Sequence, residues 1–143
     1  MSHLEEIEAI RQLKARYFRF MDTKDWESWR GVFTDDVVVA VDTGVGKIPP
    51  MTGADGFVRF VRERNHQRIT VHHGHTSEIE ITSPTTATGI WGMEDIVEQD
   101  DGTLKRAYGF YHETYRRDGN GWRIASIELR RVHTELGGPW RRT

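Results

Sequence analysis

Residues 68–81 read RITVHHGHTSEIEI, and the fold turns on whether they are strand or helix. β-branched residues are dense here, and Glu78–Ile81 alternates polar with apolar, the two-residue period of an extended chain with one buried face. The stretch is therefore expected to be a strand. Three further segments with the same alternation follow it, namely TTATGIWGMEDIVEQ (85–99), TLKRAYGFYHETYRR (103–117) and WRIASIELRRVH (122–133). Two junctions between them, QDDGT (99–103) and RDGNGW (117–122), carry the Asp-Gly pair that favours tight hairpins. The second half thus reads as an antiparallel meander.

Upstream the period changes. Ser2 and Glu5 have capping-box spacing, and Leu4, Ile7, Ile10, Leu13, Tyr17 and Phe20 or Met21 then recur at helical intervals. This helix is expected to stop near Asp22. A short second helix fits DWESWRGVF (25–33), with Asp25 as its N-cap and Trp26, Trp29 and Phe33 facing inward. DVVVAV (36–41) reads as a strand buried on both faces or lining a core, GVGKIPPMTGAD (44–55) as loop, and GFVRFVRER (56–64) as a brief helix. Helices first and a meander after them give an α+β domain. It is a cone-shaped, curved, mostly antiparallel sheet, an α+β barrel of the cystatin-like kind, covered by the N-terminal helices. Gly89, Gly92 and Gly109 lie inside strands and point to strong curvature or to close approach of another group.

The 143 residues fit a single domain spanning 1–143, with 134–143 expected as a flexible tail. Net charge is −2, so the concentrated positive field that nucleic acid or an anionic membrane needs is missing. Without cysteine there is no disulfide, thiolate metal site or cysteine nucleophile. The acidic, amphipathic start does not read as a signal peptide, and no run is long enough to span a bilayer. A soluble cytoplasmic protein is expected.

Chemistry concentrates in VHHGHT (71–76), which holds three of the seven histidines. On a strand His73 and His75 share a face and His72 opposes them. A His-x-His pair supplies two metal ligands, but a metal site needs a third, and the spacing of His112, Glu113 and His133 on later strands does not identify one. Acid–base catalysis needs one imidazole and one carboxylate to orient it. Asp22, followed by Thr23 and Lys24, is the best-placed carboxylate; a turn residue between helices is the alternative. A carboxylate at a helix C-terminus opposes the macrodipole and gains from a cationic partner. Strict alternation from His72 would set Ile79 and Ile81 on the opposite face. An inward His72 therefore requires a phase break, expected at Gly74.

The segments RYFRFMDTKDW (16–26), HHGHTSEIEITSPTTATGIWGMED (72–95) and GNGWRIASIELRRVH (119–133) resemble the SnoaL-like branch of the nuclear transport factor 2-like superfamily. Within it the bile-acid 7α-dehydratases are most similar, with scytalone dehydratase and the lindane dehydrochlorinase more distant. The resemblance implies an α+β cone and a metal-free, cofactor-free lyase that eliminates water or HCl from a hydrophobic, carbonyl-bearing ring, steroid-like in the nearest case. By it Asp22 and His72 are the dyad, Tyr17 the donor to an oxyanion, and Asp95 an acid on the next strand. Arg131 holds substrate, with Trp91, Met93 and Tyr111 as further lining. Met21 and the VVVAV run (37–41) replace tyrosines found in other members, which implies a more apolar pocket. Asp95 and Arg131 pairing with each other is the bland alternative for both. An isomerase of the ketosteroid type, or a non-catalytic binding or assembly module, would use the same cone. Trp91 and Tyr115 are also candidates for exposed aromatics on the convex sheet face. A homo-oligomer, a trimer by analogy, is expected there.

Overall fold

A computed structural model describes residues 2–42 and 46–138. Helix α1 (His3–Asp22) opens on the expected capping box: Ser2 N–H donates to Glu5 Oε2 at 2.7 Å and Glu5 N–H to Ser2 Oγ at 3.3 Å. Its buried stripe includes Ile10, Leu13, Tyr17 and Met21, as the periodicity requires, whereas Leu4 stays exposed. Helix α2 (Trp26–Arg30) starts at Asp25, whose carboxylate accepts from Ser28 N–H at 3.2 Å. It is shorter than expected, because Phe33 already begins strand β1 (Phe33–Val41). The valine run is half-buried: Val37 and Val39 are in the core while Val38 is 41% exposed. The loop reading of 44–55 is broken by β2 (Met51–Thr52) and by the start of α3 (Ala54–Asn65); residues 43–45 lie outside the described residues.

Strands β3 (Thr70–Ser83), β4 (Thr86–Glu98), β5 (Leu104–Asp118) and β6 (Gly121–Gly137) follow as an antiparallel meander. Gly102 and Gly121 take positive φ at the two Asp-Gly junctions (83° and 99°), the conformation that glycine adopts without a Cβ penalty. The sheet order is β2-β1-β6-β5-β4-β3, antiparallel except for the β1–β6 pair. This is the α+β architecture expected. The 134–143 tail begins later than expected, since Thr134–Gly137 still pair with β5, while 139–143 lie outside the described residues.

Alternation settles which face is core. On β4 and β5 the residues Ala87, Trp91, Met93, Ala107, Tyr111 and Tyr115 are buried together with α1 and α2. Trp91 and Tyr115, at 8% and 1% exposure, are therefore not convex-face aromatics; that face carries Tyr108, Phe110 and Val132 instead. The difference is one of phase, because a single-residue shift exchanges the two faces of a strand.

β3 does break phase, but not at Gly74. The register with β4 slips between His75 and Ser77, and Thr76 takes φ 26°. Burial accordingly follows Thr70, His72 and Gly74 before the bulge and Ser77, Ile79 and Ile81 after it. His72 and the isoleucines thus share the inner face. Gly74 has another reason to be glycine: a Cβ there would lie 2.6 Å from Phe18 Cε2. Gly89 likewise leaves room for the Tyr115 hydroxyl, 2.8 Å from where its Cβ would stand.

Candidate active site

The end of α1 delivers Asp22 to the edge strand β3. Its carboxylate receives three donors: Thr70 Oγ1 at 3.0 Å, the His72 backbone N–H at 2.8 Å and His72 Nδ1 at 2.7 Å. Two contacts from one residue fix both the strand and its ring against the helix end. Lys24, in a left-handed conformation (φ 63°), donates its ammonium to Thr70 Oγ1 at 2.7 Å, so the cation expected near Asp22 reaches it through a hydroxyl. Burial lowers the Lys24 ammonium pKa, and the Asp22 charge opposes that fall.

A carboxylate on Nδ1 sets the imidazole tautomer. Nδ1 carries the proton and Nε2 keeps its lone pair, the arrangement a general base needs. Among the described residues none hydrogen-bonds Nε2. The His72 side chain retains 10% exposure, and a 360 Å³ pocket opens onto it. Phe18, Asp22, Gly74 and Trp91 also line that pocket, together with Arg11, Ala15 and Arg19 of α1. A second hollow, about 730 Å³, spreads over the outer sheet face around Ile90, His112 and Glu128, away from the dyad.

Asp95 pairs directly across from His72 in the β3–β4 ladder, so the two side chains share the inner face. Arg131 Nη1 lies 3.2 and 3.3 Å from its two oxygens, and Arg131 Nε donates to the Asp42 carbonyl at 2.6 Å. Guanidinium and carboxylate are both buried and form an ion pair. The two residues are each other's partners, as the blander of the two expectations has it.

Tyr17 and Tyr111 meet behind the dyad, their ring centroids 6.1 Å apart and the rings edge to face. Burial pushes the Tyr17 phenol well up, and the charges of Glu113, Asp22 and Asp95 push the same way. Tyr111 is raised by burial first, then by Tyr17, Asp95 and Glu113, with Arg131 opposing. Both therefore stay neutral hydroxyls, able to donate. Met93 is buried in the same core.

A further network escapes a reading of the sequence alone. Lys14, 0% exposed, forms an ion pair with Glu113 Oε1, and its Nζ lies 3.7 Å from the ring centroids of both Tyr17 and Tyr111. Glu113 Oε2 accepts from the Tyr115 hydroxyl at 2.7 Å, and the Tyr115 hydroxyl oxygen in turn accepts from Trp91 Nε1 at 2.9 Å. Burial lowers the Lys14 ammonium pKa, with Glu113 opposing. A signal is nonetheless present: Lys14 sits between Leu13 and Tyr17 on the helix stripe, and Glu113 has the strand parity of Tyr111 and Tyr115.

His73 and His75 stack at 6.1 Å, and His75 pairs with Glu94 at 2.8 Å, both histidines being exposed. Among the described residues no three His, Asp or Glu side chains gather as metal ligands.

Known proteins share this arrangement of elements. The Kfla4162 protein of Kribbella flavida superposes with a TM-score of 0.84 at 22% identity, over 94% of this chain and 95% of that one. The type 3 hexachlorocyclohexane dehydrochlorinase of Novosphingobium barchaimii superposes at 0.81 with 18% identity, over 98% and 97%. In sequence, the protein named "Probable cyclase FGR4" of Gibberella zeae is 22% identical over 139 residues, covering 89% of this chain and 91% of that protein. Residues 2–128 match the SnoaL-like domain as a family, and with nearly the whole cone inside that match the chain belongs to the SnoaL-like domain family.

Proposed function

We propose that the protein is a lyase that removes a leaving group from a hydrophobic, carbonyl-bearing ring compound, with His72 as base and Asp22 as its orienting carboxylate. The observation that carries this reading is the 2.7 Å bond from His72 Nδ1 to Asp22, made by a carboxylate that also grips the backbone N–H of the same histidine. A scaffold domain has no need to hold an imidazole so firmly with Nε2 left unpartnered. The dehydrochlorinase among the similar folds is named for an elimination, which supports the reaction class.

In the proposed step His72 Nε2 takes a proton from the carbon beside the carbonyl. The released electron pair forms the enolate and then the carbon–carbon double bond, as the bond to the hydroxyl or halide on the next carbon breaks. The leaving group departs with that bonding pair, as halide, or as water once it has taken back the proton that His72 Nε2 removed. Tyr17, packed on Tyr111 and held neutral by burial, is the donor to the developing enolate oxygen. Arg131 serves by holding the Asp95 carboxylate in place beside His72. Trp91, at the edge of the pocket, and Met93 and Tyr111 behind it give the apolar lining. The outer sheet face, with Tyr108, Phe110 and Val132 exposed, is proposed to meet copies of the same chain, and sedimentation of the purified protein checks this.

The test is a screen of β-hydroxy and β-halo ring ketones, following formation of the conjugated enone by absorbance, with wild type, His72→Ala and Asp22→Asn. Loss of the base is expected to lower kcat ~10²–10⁴-fold. Asp22→Asn is expected to cost a comparable factor, because an amide no longer enforces the Nδ1–H tautomer. Turnover that survives both substitutions removes the dyad from the reaction. Isotope exchange beside the carbonyl without loss of the leaving group would instead identify an isomerase.

A further inference from the structure

Seven of the fourteen arginines among the described residues are held in ion pairs. Arg30 pairs with Asp35 and Asp55, Arg68 with Asp100, Arg116 with Asp36, and Arg131 with Asp95. Two that are not neutralised line the dyad pocket. Arg11 makes one side-chain bond, from Nε to the neutral Ser77 hydroxyl at 3.3 Å, and Arg19 lies over the Phe20 ring at 4.6 Å. Neither has a carboxylate within ion-pair distance among the described residues. The acids that share their helix are already engaged, Glu8 with the Gln12 amide and Asp22 with its three donors.

Their spacing is equally specific. Arg11, Ala15, Arg19 and Asp22 succeed one another by four, four and three residues, so they form one row on α1 and all face the pocket. The two arginines stand about 12 Å apart along the axis, and Arg19 is within roughly one turn of the dyad aspartate. Ala15 between them leaves the floor low. The pocket thus presents two uncompensated guanidinium groups, beside an apolar wall of Phe18 and Trp91, to whatever lies against His72.

We infer that this pocket selects substrates carrying an anionic arm, a carboxylate or a phosphate, which Arg11 and Arg19 clamp while the ring lies against Phe18 and Trp91. A guanidinium fork matches both anions, and the attraction is strongest where the apolar wall excludes water. The inference rests on the elimination reading only for the orientation of the ring toward His72; the binding preference stands without catalysis.

The probes are a bicyclic enone bearing a carboxymethyl arm, its methyl ester, and the matching phosphate monoester, titrated calorimetrically into the full chain and into Arg11→Gln/Arg19→Gln. Both positions are exposed, so the double variant is expected to fold, which circular dichroism checks. The expected result is at least ~10-fold tighter binding of the anions than of the ester, weakened by salt and absent from the double variant. Carboxylate above phosphate, or the reverse, names the arm. Equal affinity of acid and ester, a preference that persists in the double variant, or failure of all three to bind would overturn the inference. Turnover of the matching β-hydroxy ketone with the same carboxymethyl arm that survives His72→Ala, with the anion preference intact, would instead remove the elimination reading and leave the anion site standing.

Discussion

At the scale of single residues, Gly74 shows how a side chain that is absent shapes the site. The Phe18 ring occupies the space beside its Cα, and Trp91 Cε3 would lie 3.3 Å from an added Cβ. Gly74→Ala is therefore expected to destabilise the fold by about 1–3 kcal/mol, the range for an overpacked core. Chemical denaturation measures it, and Phe18→Leu in the same chain should recover part of the loss. Full stability of the alanine variant would mean that the ring moves freely and that the pocket floor is soft. The contact of His72 with Asp22 was legible only through the resemblance of the segments around both residues to the SnoaL-like branch, since their spacing alone left Asp22 as readily a turn residue. The place of the bulge was not, because it falls at Thr76, a residue type with no preference for positive φ, and glycine drew attention to position 74 instead. Asp95 and Arg131 were found as residues, but a sequence gives no means of telling a catalytic pair from one satisfied by itself.

At the scale of elements, α1 and β5 are joined by a buried charge pair rather than by apolar contact alone. Removing one member strands the other: Lys14→Met is expected to cost roughly 3–5 kcal/mol, because Glu113 then keeps a charge with a single neutral donor, Tyr115. Lys14→Met/Glu113→Gln should lose much less, and the difference between single and double variants in urea unfolding isolates the coupling. If the two losses simply add, the pair contributes nothing as a pair. The capping box at the start of α1 is a separate and smaller device. Ser2 there closes an exposed helix end, so its alanine substitution should cost only about 1 kcal/mol. Period and caps made α1 readable in advance. The Lys14–Glu113 contact spans 99 residues of chain, and only the folded register brings those two positions together.

For the whole molecule, helices followed by hairpins determined the architecture, since each Asp-Gly turn fixes an antiparallel neighbour and a short meander leaves few ways to close. What local pattern could not supply was which sheet face is core, because that phase is decided jointly by α1, α2 and the bulges. The result places three of the four tyrosines, Tyr17, Tyr111 and Tyr115, inside one cluster, each with its phenol raised chiefly by burial. The folded chain then holds their protons at a pH where the unfolded chain releases them. Above the ordinary phenol value of about 10, the unfolded state binds fewer protons than the folded one, so stability falls as pH rises and is unaffected by these groups below it. Alkaline unfolding should accordingly be cooperative. Phenolate absorbance in the near ultraviolet from these three residues should appear in the same step as the loss of circular dichroism, and not as a separate titration before it. Phenolate formation by all four tyrosines while the ellipticity is still native would show that solvent reaches the cone interior, and that the Tyr17–Tyr111 pair is not the water-excluded donor the proposed elimination requires.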